Sequence, residues 1–97
     1  MPTYMTLCTF TDKGLKVMKD SKETAKKAIQ DAEKAGIKVI GHYFLMGEYD
    51  VVVITECPND EAAVASSIIA SSGGEIKTTT MRAFTPEEFF GIIDKLP

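Results

Sequence analysis

The chain has few of the residues that mark a metal-binding, redox or secreted protein. It holds two cysteines and one histidine among its 97 residues. Two cysteines are too few for a disulfide framework, and no Cys or His spacing typical of a zinc site occurs, so we expect no metal and no cofactor. We interpret Cys8 and Cys57 as reduced, buried thiols, which favours a cytoplasmic protein.

Long apolar runs, phosphate loops and a basic surface are also missing. No run approaches the ~20 residues of a membrane span. Residues 1–4 lack the segments of an export signal, and no glycine-rich phosphate loop is present, so we expect neither membrane binding nor export. The net charge is −3, with seven Lys against five Asp/Glu in residues 1–36 and four Lys/Arg against nine Asp/Glu in residues 37–97. The mild basic excess lies on a predicted helix without interleaved aromatics, so we expect no nucleic-acid partner.

The length predicts a single domain covering residues 1–97. The composition, 44% hydrophobic and 26% charged, is typical of a globular chain and excludes a disordered or fibrous one. A domain of this size buries only about 60–65% of its unfolded surface. The chain can therefore fold alone, but it gains stability from a partner.

The hydrophobic pattern predicts elements in the order β-α-β-β-α-β-α. Alternating apolar residues indicate strands, and apolar residues at helical spacing, with capping residues before and glycine after, indicate helices. Capping boxes are predicted at Asp20 with Glu23 and at Thr85 with Glu88. The predicted segments are the strand Thr3–Phe10, a short helix after Thr11, a helix from Asp20 or Ser21 to Gly36, a hairpin over 37–56, a helix from Asn59 or Asp60 to Gly73, a strand over 75–83 and a helix from Thr85.

This order is that of an α+β, ferredoxin-like βαββαβ fold with an extra C-terminal helix. Such a fold has a four-stranded antiparallel sheet with two helices on one face. Right-handed crossovers place the first and third strands in the centre of the sheet.

The run Val-Val-Val-Ile at residues 51–54 predicts a partner. A strand with one face in water should alternate apolar and polar residues, and this one does not. Two helices cover only one face of the sheet, and an exposed apolar patch of several hundred Å² is uncommon on a monomer. The favoured interpretation is a homodimer that packs sheet against sheet. The alternative is a monomer whose own C-terminal helix covers the second face with its stripe of Phe89, Ile92, Ile93 and Leu96.

Residues 47–52 (GEYDVV) resemble the signature of the GYD domain family. Supporting stretches are 11–14 (TDKG), 58–63 (PNDEAA) and 78–85 (TTTMRAFT), so the resemblance spans essentially the whole chain. It implies a small bacterial or archaeal cytoplasmic protein with the fold of the dimeric α/β-barrel proteins. Relatives in fold include cofactor-free monooxygenases, haem-binding enzymes, lactone isomerases and ligand-sensing modules, so fold alone does not indicate an activity.

Alternation along the strands predicts which side chains share the face toward the second subunit. This face is expected to carry Thr6, Cys8, Phe10, Lys38, His42, Phe44, Asp50, Val52, Ile54 and Glu56, joined by Thr78, Thr80 and Arg82. The residues expected under the helices are Met5, Leu7, Val39, Val51 and Val53. A few polar groups among apolar ones are typical of a small-molecule cleft. The ligand-binding candidates are Thr6, Lys38, His42, Phe44, Asp50 and Arg82.

His42 and Asp50 are the candidate catalytic residues. His42 could act as a general base, because its pKa lies near neutrality, although a lone histidine is more often a packed or interface residue. Asp50 could orient His42 or bind a ligand, but an aspartate at a turn more often accepts backbone N–H groups of its own turn. Lys38 and Arg82 could bind an anion, although charges on edge strands more often prevent aggregation.

Three functions remain open at this point. The first is a homo-oligomer that binds a small molecule in a cleft between its sheet and the partner subunit. The second is a cofactor-free enzyme of the monooxygenase or isomerase kind that uses His42 and Asp50. The third is a structural or regulatory oligomer without a ligand. A cleft of about 300 Å³ or more that holds His42 within reach of an acid would support the first two.

Overall fold

The computed structural model describes residues 1–97 and confirms the ferredoxin-like α+β fold with its C-terminal helix. The connection between the first two strands is divided into two helices by a 3₁₀ turn at Met18–Asp20. The strands are β1 (Thr3–Phe10), β2 (Lys38–Phe44), β3 (Val51–Glu56) and β4 (Ile76–Ala83). The helices are α1 (Asp12–Lys16), α2 (Ser21–Lys34), α3 (Asp60–Ser72) and α4 (Pro86–Asp94).

The sheet is antiparallel throughout, in the order β2-β3-β1-β4. The first and third strands are central, as the crossover rule predicts. On β1, Tyr4 pairs with Thr55 of β3 and with Arg82 of β4, and Cys8 pairs with Val51. This register decides which side chains share a face.

Helices α2 and α3 cover the face that carries Tyr4, Cys8 and Val51, all three of which are buried. We call it the helix face, and the opposite one the open face. The core is small, because only one contiguous cluster of buried residues joins the sheet to the helices. That cluster consists of Tyr4, Ile37, Cys57 and Ala63.

Three of the four helix starts carry the cap that the sequence predicts. Thr11 accepts the Gly14 N–H at the start of α1. Asn59 accepts the Ala62 N–H at the start of α3. Thr85 and Glu88 form a full capping box at the start of α4, in which each side chain accepts the backbone N–H of the other residue. The box predicted at Asp20 is wrong. Asp20 makes no side-chain cap bond, because its backbone is in the helical region at the end of the 3₁₀ turn.

The β1–α1 junction contacts the α3–β4 turn closely at Gly14. A Cβ atom at this position would lie 2.2 Å from the Glu75 carbonyl oxygen, so only glycine fits. The junction is held by Thr11, whose N–H donates to the Glu75 carbonyl at 3.0 Å. The Lys13 ammonium donates to the Gly73 carbonyl at 2.8 Å. The TDKG stretch at residues 11–14 therefore joins the two crossover connections.

Helix α4 projects from the sheet instead of covering it. It packs against neither the open face nor α3. The radius of gyration is 14.8 Å and the longest dimension is 53 Å. A compact chain of this length has a radius of about 12.5 Å, so one element stands away from the rest. The alternative in which the terminal helix covers its own sheet is therefore wrong for this chain.

Candidate functional site

The open face is apolar at its centre. Met5 of β1 pairs with Ile54 of β3 and with Met81 of β4, and Leu7 pairs with Val52. None of these five side chains is fully buried within the chain. As expected from the sequence, the strand at residues 51–54 carries apolar side chains on both of its faces. Val51 and Val53 face the helices, and Val52 and Ile54 lie on the side that no helix covers.

The pairing register of β1 with β3 shows that the predicted grouping of residues by face is wrong for β1 and β4. On β1 and β3, even-numbered residues pair with odd-numbered ones, so Thr6 and Cys8 share a face with Val53 and Val51. A one-residue difference in register exchanges every side chain between faces. Thr6, Cys8, Phe10, Thr78, Thr80 and Arg82 therefore lie on the helix face, and Met5 and Leu7 lie on the open face. Val39, Val51 and Val53 lie toward the helices, as predicted.

A bulge in β2 separates two of the candidate residues. The register shifts between Val39 and Gly41, which leaves Ile40 as the extra residue. The shift changes the alternation along the strand. Lys38 consequently lies on the open face opposite Glu56, whereas His42 and Phe44 lie on the helix face opposite Val53 and Val51.

Asp50 holds the hairpin to the central strand. Its carboxylate accepts the N–H of Phe10 at 2.8 Å, and its own N–H donates to the Cys8 carbonyl at 2.9 Å. Its carbonyl accepts the Leu45 N–H at 2.7 Å across the turn. The carboxylate thus accepts a backbone N–H group, as favoured from the sequence, but the donor belongs to β1 and not to its own turn. Gly47, with φ of +130°, supplies the conformation that the turn requires.

His42 has no acid beside it on the hairpin. It pairs with Val53, and Asp50 lies three residues before Val53, about 10 Å away along the strand. The imidazole instead makes a tilted contact with the Phe44 ring, at 5.0 Å between centroids. His42 and Asp50 are therefore not brought together as a base and its orienting acid.

Thr6 belongs to a chain of hydroxyl groups between the sheet and α3. Thr6 and Thr80 are 3.1 Å apart, Thr80 contacts Ser67, and the Ser67 hydroxyl donates to the Ala63 carbonyl at 3.1 Å. Because each hydroxyl donates only once, the direction of the chain is fixed. Thr6 donates to Thr80, Thr80 donates to Ser67, and Ser67 donates to the backbone. Thr6 thus serves the packing of α3 on the sheet.

Arg82 holds the start of α4 against the sheet. Its guanidinium lies over the Phe84 ring at 4.4 Å, donates to the Thr3 carbonyl at 3.2 Å and approaches Glu88 at 4.0 Å. Bonds from the Thr85 backbone and hydroxyl, with the nearby Arg82 charge, hold the pKa of Glu88 below its ordinary value. Arg82, one of the two candidate anion-binding cations, is therefore occupied within its own chain.

Tyr4 and Asp60 form a contact that sequence reasoning missed. The Tyr4 hydroxyl donates to the Asp60 carboxylate at the start of α3, with the Arg82 guanidinium 5.7 Å from the Tyr4 ring. The hydrogen bond to Asp60 is the main reason that the pKa of Tyr4 is raised to about 12. Tyr4 and Asp60 are 56 positions apart, so no local sequence pattern predicts their contact. From the sequence, Asp60 is predicted only to begin a helix.

Two open depressions of the surface are defined, and neither is lined by His42 or Asp50. One, of about 540 Å³, lies on α2 and is lined only by Gln30, Glu33 and Lys34. Another, of about 180 Å³, is a groove between α3 and β4. No group of three His, Cys, Asp or Glu side chains could hold a metal ion, and no helix has the length and apolar character to cross a membrane. The apolar open face is the most distinctive surface of the molecule.

The fold and this surface define a class, a small ferredoxin-like α+β protein with one uncovered sheet face. The family model described as GYD domain matches residues 4–93. The chain belongs to the GYD domain family. A relative from Thermus thermophilus, described as glutamine synthetase and cystathionine beta-lyase binding protein, is 35% identical over 85 residues, which cover 86% of this chain and 88% of that protein. No solved structure matches the chain.

Proposed function

We propose that this chain is a cytoplasmic interaction protein that forms a homodimer through the open faces of two sheets and binds metabolic enzymes. The observation that carries the proposal is the uncovered apolar face around Val52. The same face supports the dimeric α/β-barrel arrangement implied by the fold.

The size of the open face supports self-association. Four strands at a spacing of about 4.8 Å and seven residues at about 3.3 Å give a face of roughly 450 Å² in plan. A specific interface requires about 800 Å² of accessible surface from each partner. Because the projecting side chains enlarge the accessible area, this face supplies most of what a stable dimer needs.

Binding of enzymes is supported by the relative from Thermus thermophilus, whose name states that it binds glutamine synthetase and cystathionine beta-lyase. The separation of His42 from Asp50 and the internal bonds of Thr6 and Arg82 favour an interaction protein over the enzyme hypothesis. We propose glutamine synthetase and cystathionine beta-lyase from the same organism as the first partners to test.

Small-molecule binding is a second candidate, because polar groups border the apolar centre of the open face. Lys38 and Glu56 lie opposite each other at one end, and the exposed Tyr43 packs its ring beside Gly41. A ligand between two sheets would contact these groups. Native mass spectrometry of the purified dimer would reveal such a ligand as added mass.

The dimer is tested by light scattering on a sizing column with the wild type and Val52→Asp. A carboxylate in the apolar centre raises the dissociation constant by at least about a hundredfold, because it loses its water without gaining a partner. The control is Ala28→Asp on the exposed side of α2, which leaves the mass unchanged. A wild-type chain that is monomeric at micromolar concentration would rule out the proposed dimer.

Enzyme binding is tested by calorimetry with the two purified enzymes. We expect saturable binding to at least one of them, with Ala28→Asp as the folded control. Absence of binding to both at tens of micromolar would rule out this part of the proposal and leave the dimer standing.

A further inference from the structure

We propose that α4 binds a second copy of this chain by packing its apolar stripe into the groove between α3 and β4. The α4 stripe is Phe89, Ile92, Ile93 and Leu96. The α3–β4 groove is lined by Val64, Ser67, Ile68, Ser71, Thr78 and Thr80. This contact is separate from the sheet-to-sheet dimer and adds copies beyond it.

Helix α4 requires a surface to pack against. The four stripe residues recur at i, i+3, i+4 and i+7, and 44 to 64% of each side chain is exposed. The helix has nine residues. Isolated helices shorter than about 12–15 residues are marginal in water, even with a good cap. The stripe is therefore expected to be covered in the assembled protein.

The α3–β4 groove has the length and character to receive this stripe. It is an open depression of about 180 Å³. The exposed side chains of Val64 and Ile68 form its apolar wall, and small hydroxyl residues leave room beside them. From Val64 to Ser71 the groove spans seven helical steps, about 10.5 Å. The helical part of the stripe, from Phe89 to Ile93, spans four steps and fits within this length, and Leu96 follows the end of α4.

The stripe lies away from the groove of its own chain. The first turn of α4 is fixed by the Thr85 capping box and by the approach of Arg82 to Glu88. Only Phe84 and Thr85 lie between β4 and α4, and α4 does not pack against α3. A ridge and a groove that do not meet within one molecule can meet between copies, as in a heterologous contact.

Charges at the two ends favour one direction of docking. Lys13, bonded to the Gly73 carbonyl, lies at the Ser71 end of the groove, and Glu61 lies one turn before Val64. On α4, Glu87 and Glu88 are in the first turn, and Asp94 precedes Lys95 at the other end. Antiparallel packing of α4 on α3 places Glu87 toward Lys13, whereas the parallel direction would place it toward Glu61. Exposed pairs contribute little energy, so they set the direction more than the affinity.

The contact is tested by sedimentation velocity on full-length variants that carry an acidic substitution on α4, a basic substitution in the groove, or both. Ile92→Glu and Ile68→Lys are each expected to raise the dissociation constant of the larger assembly about tenfold or more and to leave the sheet dimer. The double variant recovers at least part of the assembly, because the new charges face each other between copies. Ala28→Glu on α2 serves as the control and leaves the assembly intact.

The identity of the occupant is tested by a disulfide between Ile92→Cys and Ile68→Cys carried on separate, differently tagged chains. We expect a cross-link between the two tags. Cys8 and Cys57 are both buried and do not compete. When both substitutions are placed in one chain, a cross-link confined to that chain would overturn the proposal, since α4 would then fill its own groove.

The results separate this inference from the proposed dimer. Val52→Asp should break the sheet contact and leave the cross-link between α4 and the groove. A wild-type assembly no larger than a dimer, or one that Ile92→Glu does not change, would overturn the α4 contact and leave the sheet dimer standing.

Discussion

The face of the sheet that the helices cover is more polar than the open face, although a covered face is expected to be the more apolar one. The helix face carries Thr6, Thr80 and His42 beside its few buried apolar residues, whereas the open face carries Met5 and Leu7 among valine and isoleucine. Tyr4 and Thr80 lie under the helices because Asp60 and Ser67 of α3 are their hydrogen-bond partners. The most apolar surface of this chain is thus one that its own helices do not bury, which separates the requirements of folding from those of association.

The largest difference in stability is expected between two variants that place an aspartate at adjacent positions, Val51→Asp on the helix face and Val52→Asp on the open face. Val51 is 7% exposed on the helix face, so Val51→Asp buries an unpaired carboxylate and should cost at least about 3 kcal/mol of unfolding free energy. Val52→Asp should leave the chain folded and monomeric. Urea denaturation of both variants measures the difference. If both variants unfold together, folding and association are not separated in this protein.

A smaller effect is expected from two adjacent threonines. Thr80→Val removes the middle of the hydroxyl chain and leaves Thr6 without its acceptor, at a cost of about 1–3 kcal/mol. Thr79→Val lies on the open face and should stay within about 0.5 kcal/mol of its parent. Both are best measured in the Val52→Asp monomer. Equal costs at the two positions would contradict the assignment of the faces.

The smallest effect concerns alkaline pH. Since Tyr4 has a pKa of about 12 in the folded chain against an ordinary 10.0, its contribution to stability is fully present below pH 10 and is lost as the pH rises toward 12. Tyr4→Phe should be less stable than the wild type at neutral pH, because Asp60 loses a donor. The difference should shrink above pH 10. Chemical denaturation from pH 8 to 12 measures it, and a constant difference across that range would contradict the Tyr4–Asp60 bond.

Local signals in the sequence were enough to predict the elements and their order. Thr85, Pro86 and Glu88 fix the start of α4, and the glycines end the helices near the expected positions. The crossover rule then places β1 and β3 in the centre of the sheet. These features depend on residues that are close in the sequence or on the right-handedness of crossover connections. One amino-acid sequence is therefore sufficient to predict them.

The composition of each face could not be predicted in the same way. Pairing between β1 and β3 joins residues more than forty positions apart, and no local pattern distinguishes Tyr4 opposite Thr55 from a register shifted by one. The bulge at Ile40 then reverses the alternation within β2. The donor to the Asp50 carboxylate was missed for the same reason, since Phe10 lies on a strand that is distant in sequence.

The central place of β1 has a consequence for how the chain folds during synthesis. During synthesis β1 has no neighbour until β3 emerges, and its second neighbour, β4, is the last of the four strands to be made. Closing such long loops costs entropy, whereas the β2–β3 hairpin can form locally. We therefore expect the hairpin to acquire protection from hydrogen exchange before β1 does, as pulse labelling during refolding would measure. A nascent chain that ends before β4 would expose an edge of its central strand, so the emergence of β4 is the step that completes the sheet.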